Sequence, residues 1–330
     1  MVGQPVAPGG CDAVIILGAT ATGKTSLGVR LARAFGGEII SADSRQVYRG
    51  LDLGSGKDLT EYGDTPYHLI DIATLEGEYS VFDYQRDFFA AHADISSRGK
   101  MPFVVGGTGM YLDAIVRGYE LVEVPENPAL RAVLEPLSLE ELAARLLSLK
   151  KEVHNRTDLT ERPRLVRAIE IAEYKRNEKV GIEESNTIAA KNGETAVGFA
   201  GAAAIHPLIL GVRFDRAVLR SRIRTRLEER IRAGLVDEVR ALHESGASWE
   251  RLERLGLEYR YTAEYLEGKI VSEKEYTESL YTAICQFAKR QETWFRGMER
   301  KGVAIEWIEN GDYEAAERAV TRSLRRAPRP

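Results

Sequence analysis

Gly18-Ala19-Thr20-Ala21-Thr22-Gly23-Lys24-Thr25 decides the reading of this chain. The octet fits G-x-x-x-x-G-K-[ST], a loop whose backbone N–H groups turn inward around phosphate oxygens. The apolar run Ala13 to Leu17 precedes it and a helix-like pattern, Ser26 to Ala34, follows. Strand, glycine loop and helix are the context the motif needs. The helix N-terminus supplies partial positive charge, Lys24 a full one, and the Thr25 hydroxyl a ligand for Mg²⁺. The stretch predicts a bound di- or triphosphate without specifying which, or for what chemistry.

Working outward, further short apolar segments read as buried strands: 38–41, 67–71, 102–106, 208–213 and 303–308. Helical periodicity occupies 24–34, 80–98, 215–232 and 274–298. This alternation predicts an α/β fold, a P-loop NTPase-like parallel sheet flanked by helices. From about 119 to 185 the strand signals stop. Ser138-Leu-Glu-Glu141 is a capping box opening a helix to Leu149, and a second helix is expected over 161–176. The organisation expected is a tail at 1–12, a main domain of 13–118 and 205–325, a small helical insertion domain at 119–204, and a frayed tail at 326–330. Within the insertion, 186–204 is rich in Ala, Gly and Asn and reads as a mobile loop.

The chain has 330 residues, 44% hydrophobic and 29% charged, with a formal net charge of −4. That is the composition of a soluble protein, and the charge excludes a uniformly basic nucleic-acid binder while allowing a local basic groove. No apolar run approaches the ~20 residues of a membrane helix. The first twelve residues lack the basic and apolar regions of a signal peptide, and two cysteines, Cys11 and Cys285, cannot build a disulfide framework. A cytoplasmic location is expected. The five histidines show no metal-ligand spacing; His68 is the one that could lie near a site on the sheet.

Ligands in doubly wound folds sit beyond the strand C-termini. Asp43, directly after the second strand, is therefore a candidate general base, with a turn cap and a magnesium ligand as the alternatives. Gly106-Gly-Thr108-Gly109 also follows a strand; it is either a simple turn or a loop that brings backbone and the Thr108 hydroxyl close to a ligand. Arg222, Arg226 and Arg230 recur every four residues, and Arg216, Arg220 and Arg224 make a second row. Either row could be a solvated face, but a helix with many arginines and no lysine suits bidentate anion binding. Lys289-Arg290-Gln-Glu-Thr-Trp294-Phe295-Arg296 sets bases beside aromatics, and Arg156, Arg162, Arg164 and Arg167 cluster in the insertion; together they could form an RNA path, or the aromatics could pack while the charges snorkel.

The ordered series resembles the tRNA dimethylallyltransferase (tRNA isopentenyltransferase) family. The matching pieces are the glycine loop, Ser41-Ala-Asp43-Ser44-Arg45-Gln46-Val-Tyr48, Leu51-Asp-Leu-Gly-Ser55, His68-Leu-Ile-Asp71, Tyr79-Ser-Val81, Gly106 to Leu112, Arg222 with Arg226, and Ala288 to Arg296. The resemblance spans nearly all of 13–308.

It implies transfer of the dimethylallyl group from dimethylallyl diphosphate to N6 of the adenosine 3′-adjacent to the anticodon of tRNA. Gly18, Ala19, Thr20, Ala21, Thr22, Gly23, Lys24 and Thr25, with Arg222 and Arg226, would bind the donor diphosphate, with Mg²⁺ on Thr25. Lys24, Arg222 and Thr108 would stabilise the leaving group and Asp43 would take the proton of the attacking amine. Asp43, Ser44, Arg45, Gln46, Thr108, Arg164, Arg167, Lys289 and Arg290 would meet the anticodon stem-loop, with the target base flipped into a channel. No protein partner or membrane is implied, and a monomer is expected.

Departures from the family pattern are Ala19 for the usual Pro, Thr22 for Ser, and Glu258 for a glycine at an expected RNA contact. Two rival readings keep the loop but change the chemistry: an adenylate isopentenyltransferase, which prenylates AMP, ADP or ATP, and a small-molecule kinase, which lacks here a lid with paired arginines. The insertion and the Lys289–Arg296 segment favour tRNA. A third rival is an RNA-binding module that has lost activity; the presence of Lys24, Thr25 and Asp43 argues against it.

Overall fold

The computed structural model describes residues 11–119, 121, 123–149, 161–176 and 205–325. The expected mobile loop at 186–204, the tail at 326–330, Arg156 and most of the N-terminal tail lie outside these residues. Cys11 and Asp12, assigned to that tail, are tied down: the Asp12 carboxylate accepts the His206 N–H at 2.7 Å.

Six strands form one parallel sheet. They are β1 (Ala13–Gly18), β2 (Glu38–Ala42), β3 (Tyr67–His68), β4 (Pro102–Gly106), β5 (Pro207–Arg213) and β6 (Glu306–Glu309). Their order is β3-β2-β4-β1-β5-β6, and Ile15 of β1 aligns with Val104 on one side and Ile209 on the other. The pleat sends alternate β1 residues to opposite faces. Val14 and Ile16 pack with Leu27 and Leu31 of α1 (Lys24–Ala34) and Ala319 and Val320 of α12 (Tyr313–Arg325). Ile15 and Leu17 pack with Phe88 of α2 (Val81–Ser97), Leu112 of α3 (Gly109–Val116) and Phe295 of α11 (Glu273–Arg300). Burial on both faces explains why β1, β2 and β4 read as unbroken apolar runs rather than alternating ones.

Two strands differ from expectation. β3 stops at His68 because Leu69 and Asp71 take positive φ, 62° and 56°, which no ladder tolerates. β6 begins at Glu306, three residues later than the hydropathy suggested. A helical layer, α7 (Arg216–Arg232), α8 (Leu235–Glu244), α9 (Trp249–Arg254) and α10 (Leu257–Leu266), follows β5. Leu219, Ile223 and Leu227 of α7 seat against Leu280, Ile284 and Ala288 of α11.

The chain divides into two compact units, Met1–Tyr119 with Ala202–Pro330, and Glu120–Gly201. The second unit holds α4 (Pro128–Leu134), α5 (Leu139–Leu149) and α6 (162–176). Ser138 and Glu141 form the anticipated capping box of α5, at 3.2 and 2.7 Å. Leu134, Leu142, Leu146, Leu165 and Ile169 make its core. Arg162 donates to the carbonyl of Leu134, the last residue of α4, and to that of Leu137 just beyond it, which helps satisfy the open helix end.

Candidate active site

The glycine loop closes on itself before it meets anything else. Gly23 takes φ 77° and Ala21 φ 62°, so the chain reverses into α1. The Thr22 hydroxyl donates to the Ala19 carbonyl at 2.8 Å and locks the turn. Lys24 Nζ reaches only that same carbonyl, at 3.4 Å, and makes no ion pair among the described residues. Burial, and after it the Arg226 charge, lower its pKa to about 8, with the Asp43 carboxylate opposing both. A cation without an anion is costly inside a protein, so this ammonium is poised for an anionic ligand. The Thr25 hydroxyl, on the first turn of α1, also has no hydrogen-bond partner among the described residues.

Asp43 follows the end of β2, near enough to this loop for its charge to act on Lys24. Its Oδ1 accepts the Arg45 N–H at 2.9 Å, so it does cap its own turn. Its Oδ2 has no hydrogen bond among the described residues. Turn cap and candidate base are thus two uses of one carboxylate. Thr108 holds the turn in place: its Oγ1 accepts the Ser44 N–H at 3.0 Å, and its own N–H donates to Ala42 at 3.2 Å. The Thr108 N–H is thereby spent inside the fold, and its hydroxyl donates to Ser44 Oγ at 3.4 Å.

The arginine rows of α7 separate by role. Arg222 Nε donates to the Ala21 carbonyl at 2.8 Å and its guanidinium lies 4.6 Å over the Phe214 ring. Arg226 Nη1 donates to the Thr20 hydroxyl at 3.1 Å. Both sit on the phosphate loop. Burial, then the neighbouring Arg230, lowers the Arg226 pKa, against Asp58, Glu258 and Asp43. Arg230 pairs with Asp58 at 2.7 Å, one turn further along. In the second row, Arg224 is bidentate to Glu278 at 2.8 and 2.9 Å and stacks 3.7 Å over Tyr281. Arg224, with Arg220 at 3.4 Å from the Tyr281 hydroxyl, fastens α7 to α11. Glu258, at the first turn of α10, faces the same charges: burial raises its pKa, Arg226 and Arg230 lower it, and Asp43 raises it.

Other residues anticipated at the site stand elsewhere or are already committed. Gln46 is turned inward: it is 7% exposed, its Oε1 accepts the Ser41 hydroxyl at 2.8 Å, and its Nε2 donates to the Gly56 carbonyl at 3.1 Å. His68 lies at the opposite edge of the sheet, bonded to Glu38 at 2.8 Å. Ser44 and Arg45 flank the Asp43 turn, partly exposed. Lys289 and Arg290 are exposed on α11, and Arg290 lies over the Phe287 ring at 5.8 Å. Phe295 is core, whereas Trp294 lies against Gly109 at the start of α3. In the second unit, Arg164 pairs with Glu161 at 3.1 Å, and Arg167 is held by Glu170 at 3.1 Å and by the Val124 carbonyl at 2.7 Å.

Two residues of the site receive no role from the sequence. Asp58 anchors Arg230 from the loop before β3. Gln291 accepts the Thr20 N–H at 2.9 Å and donates to the Gly107 carbonyl at 2.8 Å. A signal for Gln291 was available: 280, 284, 288, 295 and 298 form the buried stripe of α11, and 291 falls on it. A polar residue on an apolar stripe must have partners.

The comparisons with known proteins agree with this geometry. The IPP transferase family profile matches residues 46–298, and the isopentenyl transferase profile matches 11–72. The tRNA dimethylallyltransferase 2 of Treponema denticola is 56% identical over 297 residues, 90% of this chain and 95% of that one. The protein of the same name from Syntrophotalea carbinolica is 54% identical over 91% of this chain and 94% of that one. Among solved structures, the tRNA isopentenylpyrophosphate transferase of Bacillus halodurans superposes with a TM-score of 0.65 at 27% identity, covering 94% of this chain and 96% of that one. With a phosphate loop, an adjacent carboxylate and this extent of similarity, the chain belongs to the IPP transferase family, that of the tRNA dimethylallyltransferases.

Proposed function

We propose that this enzyme transfers the dimethylallyl group of dimethylallyl diphosphate to N6 of the adenosine 3′-adjacent to the anticodon of tRNA. The observation that carries the reading is the pairing of an unneutralised Lys24 with an Asp43 carboxylate whose Oδ2 is unbonded, both at the carboxyl edge of the sheet. The first suits a leaving diphosphate and the second a departing proton.

In the reaction, the N6 amine attacks C1 of the allyl group. The N–C bond forms as the C–O bond breaks, and the bonding pair leaves with the diphosphate. Lys24, the loop N–H groups, Arg222 and Arg226 meet the charge that grows on the diphosphate oxygens. Asp43 Oδ2 accepts the N6 proton, while Thr108 keeps the Asp43 turn in register. Because an exocyclic amine is a weak nucleophile, alignment and leaving-group stabilisation supply most of the acceleration. The stacked base must be extruded to reach Asp43. Thr25 fits a Mg²⁺ ion, since its hydroxyl has no other partner and Mg²⁺ keeps most of its ligands as water and phosphate oxygens. When bound, the ion would neutralise diphosphate charge.

Ser44, Arg45, Lys289, Arg290 and Arg164 are proposed to meet the anticodon stem-loop, the exposed bases acting on its phosphates. Gln46 and Arg167 would each serve tRNA binding through the segment of their own unit that they brace. Neither cysteine forms a disulfide in the chain, which suits a reducing cytoplasm.

The test offers labelled dimethylallyl diphosphate with an anticodon stem-loop in one tube and with AMP in another, and measures ATP hydrolysis in parallel. Label on the stem-loop alone is the expected result. Label on AMP assigns the adenylate-prenylating reading, and ATP turnover assigns a kinase.

A further inference from the structure

Thr20 and Gly107 belong to loops 87 residues apart in sequence, and one side chain bonds to both. Gln291 is 8% exposed, on the face of α11 that packs against the sheet. Its Oε1 accepts the Thr20 N–H of the phosphate loop at 2.9 Å. Its Nε2 donates to the Gly107 carbonyl at 2.8 Å. The next residue, Thr108, holds the Ser44 N–H, and Ser44 follows Asp43. An unbroken path of short bonds therefore runs from the loop that grips the donor to the turn that carries the base. Fit at Gly107 is tight: a Cβ there would lie 2.5 Å from Gln291 Nε2 and 3.1 Å from the Gly18 carbonyl.

We propose that Gln291 is a positioning residue that fixes the distance between the phosphate loop and the Asp43 turn, and so the alignment of leaving group, allylic carbon and base. This rests on the reaction proposed above. The amide is suited to the task because it offers one acceptor and one donor at a fixed separation. Glutamate would set an oxygen against the Gly107 carbonyl, and methionine would leave both backbone groups unpaired. Each loop keeps its own internal bonds without Gln291, so each substrate still binds; what is lost is their mutual register. Misplacement of reacting groups by about 1 Å costs on the order of 100-fold in rate.

The test uses the full chain and three variants, Gln291→Met, Gln291→Glu and Gly107→Ala, the last reaching the same bridge from its other end. Single-turnover prenyl transfer is measured with saturating donor and stem-loop, beside inorganic pyrophosphate binding, stem-loop binding and melting temperature. The expected result is a 10- to 100-fold fall in the single-turnover rate, with pyrophosphate and stem-loop affinities within threefold of the unsubstituted chain. A folded Gln291→Met that keeps the full rate overturns the inference, and so does a loss of pyrophosphate affinity that matches the loss of rate. Should Gln291→Met not fold, the same two outcomes are read on Gly107→Ala. If the unsubstituted chain transfers no prenyl group to the stem-loop, the proposed function fails instead, and the two failures are distinguishable.

Discussion

At the amino edge of the sheet, Glu38 receives Arg98 through both guanidinium nitrogens, Lys100 at 2.8 Å and His68 at 2.8 Å. At the carboxyl edge, Lys24 finds one carbonyl at 3.4 Å and Asp43 leaves an oxygen unbonded. The chain that builds both edges has charge enough to neutralise either, and it spends its partners on the first. Hydrogen bonds from Arg98, then from Lys100 and His68, hold the Glu38 carboxyl well below the usual carboxylate range against the cost of burial. Burial and Arg226 push Lys24 the other way, toward losing its charge. A saturated charge tells of structure. An unsaturated one, within reach of a phosphate loop, tells of a ligand that completes it.

Removing Asp43 breaks the contrast at its strongest point. Asp43→Asn keeps the turn, because the amide oxygen can still accept from Arg45, but it can take no proton. Turnover should fall by about 100-fold or more, the usual contribution of a general base. Pyrophosphate binding should stay the same or tighten, since a negative charge has left an anion site. Single-turnover transfer and calorimetric pyrophosphate titration check both halves; near-normal turnover removes Asp43 from the chemistry.

A smaller effect sharpens the comparison within α7. Arg222 touches the phosphate loop, whereas Arg224 is bonded to Glu278. Arg222→Ala should raise the donor KM and the pyrophosphate Kd by about 10- to 30-fold, the worth of one charge-assisted contact of about 1.5–2 kcal/mol. Arg224→Ala should leave both within about twofold. Equal responses of the two would mean that the helix carries a diffuse positive field rather than a directed clamp.

What the sequence made legible follows the same division. The phosphate loop could be read because all its parts are contiguous, and Asp43 and Thr108 because a parallel sheet delivers every strand end to one edge. Gln291 was quoted within a motif and its role was hidden, since its partners are backbone groups 271 and 184 residues away and carry no side-chain signature. Gln46 shows the converse: it belongs to a recognisable motif, yet the fold uses it to brace Ser41 and Gly56 from inside. The early end of β3 left no mark because Leu69 and Asp71 adopt positive φ without being glycine. The second row of α7 arginines looked like the first until Glu278 and Tyr281 gave it a partner.

The amino edge supplies the weakest effect on turnover and the clearest effect on stability. Glu38→Gln removes the charge that Arg98, Lys100 and His68 converge on, at a distance from every reacting group. Turnover per folded molecule should not change. Stability should fall by about 2 kcal/mol, a typical cost for losing charge-assisted bonds to a buried carboxylate. The pH dependence carries the sign. A carboxyl held below its unfolded value contributes stability that is present above about pH 4.5 and is lost as pH falls toward the folded value. The unsubstituted chain should therefore lose stability more steeply than Glu38→Gln on acidification from pH 5 to pH 3, and the gap between the two should narrow over that range without closing. Parallel curves would mean that Glu38 is charged no more readily in the folded chain than in the unfolded one, and the saturated edge would then be no different in kind from the site it is compared with.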